Sequence, residues 1–294
     1  QEPFRFEALS GWGRWAPRKT RLYRPERMDA LRAIAGDAAE PNLVARGLGR
    51  SYGDAAVNEV GAAIDMTRLN RMIAFDAASG VLECEAGVSI EELLEVFVPR
   101  GFFPPVTPGT KFVTVGGAIA NDVHGKNHHR DGTFGQHVVS FDLLTASGEV
   151  VVCSPEQNAE LFWATVGGAG LTGIVLRAKV RLQKIQSAYM VADYERCADL
   201  DALLAAMASG DAKYQYSVAW VDCLARGAAL GRGVLMRANH ALPQDLSSRA
   251  ARAPLAAKQR PMLPMPVDFP GFALNSYSVQ AFKYVYNAAH PTRE

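Results

Sequence analysis

The stretch Thr107–His129 gathers glycines (Gly109, Gly116, Gly117, Gly125), threonines, lysines and the histidines His124, His128 and His129, without a steady helical or strand period. A chain that keeps so much backbone freedom beside so many donors is built to wrap a ligand rather than to fill a core. A second such loop lies upstream, Ala45-Arg-Gly-Leu-Gly-Arg-Ser-Tyr-Gly-Asp54. A third lies downstream, Ala164-Thr-Val-Gly-Gly-Ala-Gly-Leu-Thr-Gly-Ile174. Three glycine-rich loops separated by ordinary amphipathic elements point to one extended, phosphate-bearing cofactor.

In the upstream loop, consecutive amides can converge on an anion once glycines accept positive φ. Arg46, Arg50 and Ser51 add side-chain donors, and Gly47, Leu48, Gly49, Tyr52 and Gly53 complete this candidate binding set. In the central loop, Gly109 and the run Thr114, Val115, Gly116, Gly117 allow backbone to approach a planar ring or a diphosphate. Asn121, Asp122, His124 and Gly125 follow. In the downstream loop the candidates are Gly173, Ile174 and Val175.

Two sharper readings are set aside. A Rossmann fingerprint needs glycine where Tyr52 stands and a helix immediately after, whereas Asp54–Gly61 has no sustained apolar stripe. His124 and His128, four apart and flanked by Asp122 and Asp131, could be metal ligands. Gly125 and Asn127 interrupt the helix such a pair normally occupies, so no metal is expected. A plain polar surface loop is the alternative for these histidines, and a cofactor or substrate contact is preferred.

The composition sets the frame. The 294 residues are 49% hydrophobic and 21% charged with a net charge of +1, an ordinary globular balance with length for one large or two moderate domains. That charge gives no whole-molecule field towards nucleic acid. No apolar run approaches the roughly 18–20 residues of a membrane span, and Gln1–Phe6 shows no signal core. Cys84, Cys153, Cys197 and Cys223 lie far apart and read as reduced, mostly buried thiols.

The elements that must position the loops are legible in part. Arg21–Pro25 reads as a strand, with Pro25 opening a helix whose apolar face is Met28, Leu31 and Ile34. Asn42–Arg46 is a strand feeding the first loop, and Val81–Ala86 is another. Ser89 with Glu92 forms a capping box for a helix burying Ile90, Leu93, Leu94 and Phe97, ended by Gly101. Ser154 with Gln157 is expected to cap a helix through Leu161 and Phe162. From Ile174 to Gln183 apolar and polar residues alternate, which predicts a strand with one buried face. The expectation is an α+β domain over residues 1–185 with a mixed or antiparallel sheet, then a second sheet domain over 186–294 that includes the strand Lys213–Trp220. Residues 241–270, rich in proline with Met262 and Met265, cannot be continuous helix or central strand and are expected to be a mobile loop.

Taken in order, Arg-Gly-Leu-Gly-Arg-Ser-Tyr-Gly (46–53), Ile-Asp-Met-Thr-Arg-Leu-Asn (64–70), Pro-Gly-Thr with Thr-Val-Gly-Gly-Ala-Ile-Ala (108–120), Ser-Phe-Asp-Leu-Leu-Thr-Ala-Ser-Gly-Glu (140–149) and Glu-Leu-Phe-Trp-Ala-Thr-Val-Gly-Gly (160–168) resemble the FAD-binding domain of the vanillyl-alcohol-oxidase (PCMH-type FAD) superfamily. His-Gly-Lys-Asn-His-His (124–129) and Gly-Leu-Gly-Arg-Ser-Tyr-Gly-Asp (47–54) are similar to the decaprenylphosphoryl-β-D-ribose 2′-oxidases within it. The resemblance is dense over 40–185 and thinner beyond.

It implies a two-part FAD-binding domain with an inserted α+β substrate domain carrying an antiparallel sheet. In such proteins a returning C-terminal segment brings a lysine and an Asn-x-Cys strand to the site; no position of this sequence matches either. Many relatives carry a flavin-linked histidine where Arg50 stands, so non-covalent FAD is implied. Asn121 replaces a cysteine of mycobacterial members, so their substrate details do not transfer. The implied reaction is oxidation of a secondary sugar hydroxyl, the 2′-OH of a polyprenylphosphoryl-β-D-ribose, with His124, Lys126 and Tyr52 as catalytic candidates. A soluble alditol or aldonolactone oxidase is the alternative enzyme, and a non-catalytic flavin-binding scaffold the alternative of another class. A polyprenyl-phosphate sugar substrate, a partner keto-reductase and a cytoplasmic or inner-membrane-surface location, on either side, go with the first reading.

Overall fold

The computed structural model describes residues 4–37, 42–256, 270–273 and 275–289. The chain folds as two compact units, one of residues 1–125 and 132–184, the other of 126–131 and 185–294.

The first unit holds two larger sheets. β1 (Phe4–Leu9) and β2 (Arg18–Tyr23) form an antiparallel hairpin, and helix α1 (Met28–Ala35) leads to β3 (Leu43–Arg46) and β4 (Ala62–Asp65). The strand order is β1-β2-β4-β3, and β4 runs parallel to both neighbours. Leu31 and Ile34 of α1 are buried as the 3.6-residue period requires. Pro25 lies ahead of the helix, whose N-cap is Arg27.

The second sheet is antiparallel throughout, in the order β5-β6-β10-β8-β9. β5 is Met72–Asp76 and β6 Val81–Glu85, after which α2 (Ile90–Phe97) carries the expected box: Ser89 Oγ accepts from Glu92 N, and the Glu92 carboxylate from Ser89 N. Gly101, at φ 80°, turns the chain into β7 (Phe102–Phe103). Then come α3 (Val115–Ala120), β8 (Val138–Leu144), β9 (Val150–Cys153), α5 (Ala159–Thr165), β10 (Ile174–Arg181) and β11 (Gln183–Lys184), which pairs with β7. The one-turn α4 (His128–Asp131) belongs to the second unit.

Two local expectations change. Ser154 Oγ accepts from the amides of Glu156 and Gln157, but this is a turn, and α5 starts only after Asn158, whose φ of 54° breaks the helical path. In β10 a bulge between Val175 and Arg177 breaks the strict alternation, so Ile174, Val175 and Leu176 are all buried. Phe141 on β8 stacks on Phe162 of α5 with ring centroids 5.1 Å apart, which binds the helix to the sheet.

In the second unit, β12 (Met190–Cys197), β13 (Tyr216–Val221) and β14 (Gly233–His240) form an antiparallel sheet in the order β12-β14-β13. β13 begins three residues later than expected, after a 3-10 turn over Asp211–Lys213. Helix α6 (Leu200–Gly210) lays Leu203 against Cys197 and Leu235. The stretch 241–270 contains a 3-10 turn at Pro243–Asp245 and α7 (Ser248–Ala251); residues 257–269 lie outside the described residues. Helix α8 (Ser276–Ala289) is fastened by Lys283 Nζ to Asp222 at 2.8 Å and by Tyr286 against Trp220, centroids 4.8 Å apart. Among the cysteines three are buried and Cys223 is exposed, and all four are free. Among the described residues no helix is long and apolar enough to cross a membrane, and no cluster of histidine, cysteine and carboxylate side chains could hold a metal ion.

Candidate cofactor-binding site

The first loop leaves β3 at Arg46. The half-buried Arg46 guanidinium donates to the carbonyls of Ser10 at 2.8 Å and Ala56 at 3.0 Å. Burial draws its pKa below the usual arginine value, against the pull of Asp65 and Glu7. Arg46 therefore braces the loop. Gly49 answers it: φ is 64°, and a Cβ there would strike the Arg46 guanidinium. The amides of Leu48 through Gly53 find no acceptor among the described residues, which leaves a run of backbone donors for an anion.

The second loop is organised differently. Thr114 caps α3, its Oγ1 accepting from Gly117 N at 3.1 Å. Val115 N donates to Val88 O at 2.7 Å and Gly116 N to Ala86 O at 2.8 Å. The amides that open this short helix are thus already spent within the protein. Gly116 packs on Ala86, where an added Cβ would come within 3.0 Å of the Ala86 Cβ. A Cβ on Gly117 would stand 3.1 Å from Thr114 Oγ1 and 3.9 Å from Val113, and the residue has no positive φ; its place is on the wall of the cavity that the loops form.

The third loop is docked on the end of α3, with Gly167 N on Ile119 O at 2.9 Å and Ala169 N on Ala120 O at 2.8 Å. Thr165 and Thr172 join hydroxyls at 2.9 Å across it. Positive φ at Gly167 (75°), Ala169 (53°) and Gly170 (79°) folds it tightly.

The three loops enclose a cavity of about 730 Å³, in the upper part of the roughly 300–1,000 Å³ range of small-molecule sites. Of the residues expected to bind a cofactor, Gly47 through Gly53, Gly109, Thr114, Gly116, Gly117, Asn121, Gly173 and Val175 line it. Tyr52 is on the wall and is 81% exposed.

The others are placed elsewhere. Val115 and Ile174 are in the core, and Arg46 serves the loop carbonyls. Asp122, at φ 40°, accepts from Gly135 N at 2.9 Å. His124 is exposed and makes a β-bridge to Thr133, with Gly125 next to it. Lys126 belongs to the second unit, where its carbonyl accepts from Ser217 N at 2.7 Å and its side chain is exposed. His129 Nε2 lies 3.1 Å from Tyr214 O in the same unit.

The structure adds Trp12, Met66, Ala86, Phe112, Val123 and Thr165 to the wall. Phe112 stands inside the glycine-rich stretch and Met66 in the Ile-Asp-Met run, so both were near a visible signal. Trp12 had none. The wall is mostly apolar and backbone, and Arg50 is its only charged side chain among the described lining residues. Its Nη1 donates to Leu48 O at 2.6 Å. Such a surface suits a large, partly aromatic ligand bearing an anionic link.

Comparison with known proteins agrees with this chemistry. The family described as FAD binding domain matches residues 20–154. The chain is 42% identical over 281 residues to decaprenylphosphoryl-beta-D-ribose oxidase of Mycolicibacterium smegmatis, covering 94% of this chain and 61% of that protein. It is 47% identical over 183 residues to an uncharacterized Streptomyces coelicolor protein of the mprA 5′ region, covering 62% of this chain and 49% of that one. Cytokinin dehydrogenase 4 of Arabidopsis thaliana is 31% identical over 145 residues, 48% of this chain and 28% of the plant enzyme. The chain thus spans 61% and 49% of the first two relatives. Residues 20–154 thus carry an FAD-binding domain of the PCMH type.

Proposed function

We propose that this chain is the cofactor-holding part of an FAD-dependent oxidoreductase that oxidises the 2′-hydroxyl of a polyprenylphosphoryl-β-D-ribose to the 2′-keto product. The observation that carries the reading is the 42% identity over 94% of the chain to an enzyme named for that substrate. The cavity supports the cofactor half: unspent amides at Leu48–Gly53 and Arg50 suit a diphosphate, and Gly117, a wall residue without a side chain, suits close approach of a ring. Neither histidine nor cysteine stands among the described lining residues, which supports non-covalent attachment.

When bound, the flavin supplies the redox chemistry. The protein's work is to fix its orientation, exclude water and manage the hydroxyl proton. His124 and Lys126 are proposed as substrate-side residues. Both are exposed and stand off the cavity wall, which fits a role other than holding the diphosphate. Tyr52, exposed on the wall, is proposed to pack on flavin or sugar. A lipid-linked substrate places the working enzyme at the membrane surface, and a keto-reductase would consume the product. Turnover assays decide between this reading and a soluble alditol oxidase: a keto product from polyprenylphosphoryl ribose, with free alditols left unchanged, is expected, and the reverse preference overturns it.

A further inference from the structure

Arg50, the single charged side chain among the described residues of the cavity wall, is held by more than its own backbone bond. Arg50 Cζ lies 4.8 Å from the centroid of the Trp12 ring and 5.6 Å from that of Phe112. Two aromatic rings flank one planar guanidinium, an arrangement that favours arginine over lysine. Lys111 Nζ also sits 5.4 Å from Phe112, but it pairs with Glu91 at 2.7 Å and is not on the cavity wall.

Trp12 comes from the turn between β1 and β2, and that turn is built onto the first loop. Trp12 N donates to Ser51 O at 2.7 Å, and Ser10 O accepts from Arg46. A Cβ on Gly11 would collide with the Ser51 and Gly53 carbonyls, so only glycine lets the turn lie this close. Arg14 N closes the turn on Gly11 O at 3.1 Å, and Arg14 and Ala16 both take positive φ, at 54° and 43°. Non-glycine residues adopt that conformation when surrounding structure imposes it. Yet Trp12 remains 54% exposed, so it is poorly used as a core residue and well placed as a clamp.

We propose that Trp12 and Phe112 are positioning residues for cofactor retention: they hold the Arg50 guanidinium so that one positive charge faces the FAD diphosphate, and the turn Ser10–Pro17 thereby governs how fast FAD leaves. The inference rests on the FAD assignment. An unclamped arginine must give up rotamer freedom when it meets an anion, whereas a stacked one has already done so.

The test measures FAD dissociation from the FAD-loaded protein, diluted into an excess of an apoflavoprotein that captures released flavin. Trp12→Ala is expected to speed release by about tenfold, equivalent to roughly 1.4 kcal/mol, and Trp12→Phe to restore retention to within about threefold of the parent. Arg50→Lys, which keeps the charge and loses the plane, should behave like Trp12→Ala. The double variant should be no worse than Arg50→Lys alone, because both changes remove one interaction. Release from the parent should also quicken with added salt, and that dependence should flatten in Trp12→Ala. Phe112→Leu reads the same clamp from its other ring should Trp12→Ala fail to fold. Unchanged release in Trp12→Ala, a Trp12→Phe variant as leaky as Trp12→Ala, or additive effects in the double variant would overturn the clamp. A parent protein that sheds flavin at once on dilution would instead overturn the cofactor assignment beneath it.

Discussion

Gly47 lies so close against Thr114 that no Cβ could be added to it without striking the threonine hydroxyl. That same hydroxyl accepts the Gly117 amide at 3.1 Å. One side chain therefore joins the first and second glycine loops and sets the spacing of the cavity between them. Gly47→Ala should push the loops apart at a cost of roughly 1–3 kcal/mol, seen as loss of bound FAD. Gly117→Val should also empty the site, because its Cβ would crowd Thr114 Oγ1 at 3.1 Å and its methyl groups would add bulk to the cavity wall. Flavin content by absorbance after gel filtration reads both, and normal content in either would show that the loops serve only as turns.

Arg50, with no histidine or cysteine elsewhere among the described lining residues, leads to a second expectation. Acid precipitation of the holoprotein should leave the yellow colour in the supernatant. Colour carried down with the pellet would contradict non-covalent binding.

The anchor of α8 gives a pH prediction. Burial of Asp222 opposes its ionisation, but hydrogen bonds from Lys283 Nζ, the Leu224 amide and Arg232 outweigh it and hold the pKa at about 2, below the usual carboxylate value. A depressed folded-state pKa contributes stability that is fully present above the unfolded pKa, near 4, and is lost as pH falls towards about 2. The contribution is on the order of 2 kcal/mol. Trp220 contacts Tyr286 of α8, so its fluorescence should report the loss across that window. Lys283→Met should shift the acid transition to higher pH, and an unshifted transition would count against the anchor.

His124 and Lys126 give a fourth prediction. Replacing either with alanine should lower kcat/KM for the sugar by about tenfold, roughly 1.4 kcal/mol of transition-state stabilisation, while FAD content stays near that of the parent. Loss of flavin with turnover restored by added FAD would move both residues to cofactor binding.

Much of this architecture is legible in the sequence because it rests on local chemistry. The Ser89–Glu92 box and the apolar face of α1 depend on residues within a turn or two of each other, and both form as read. The glycine loops declare themselves because few other reasons put so many glycines beside donors. What the sequence hides is set by partners distant along the chain. Trp12 reaches the cavity only because Gly11 lets the hairpin turn settle on Ser51 and Gly53. Arg46 looks like a ligand donor until Ser10 and Ala56 are seen to occupy its guanidinium. Val175 is among the expected binding residues and lines the cavity, but the bulge beside it, which buries Ile174, Val175 and Leu176 together, is announced by no alternating pattern. The segment 126–131 leaves the unit of its chain neighbours for the other one, tied there by Ser217 and Tyr214, and no periodicity marks that exchange.

The central claim is that FAD in this protein oxidises a lipid-linked ribose, and the anaerobic half-reaction tests it most directly. FAD-loaded protein is mixed without oxygen with a polyprenylphosphoryl-β-D-ribose or with a free alditol, and the flavin absorbance is followed. The account predicts rapid bleaching with the lipid-linked ribose and none with the alditol. A flavin that stays oxidised with the ribose, or that bleaches only with the alditol, would contradict it.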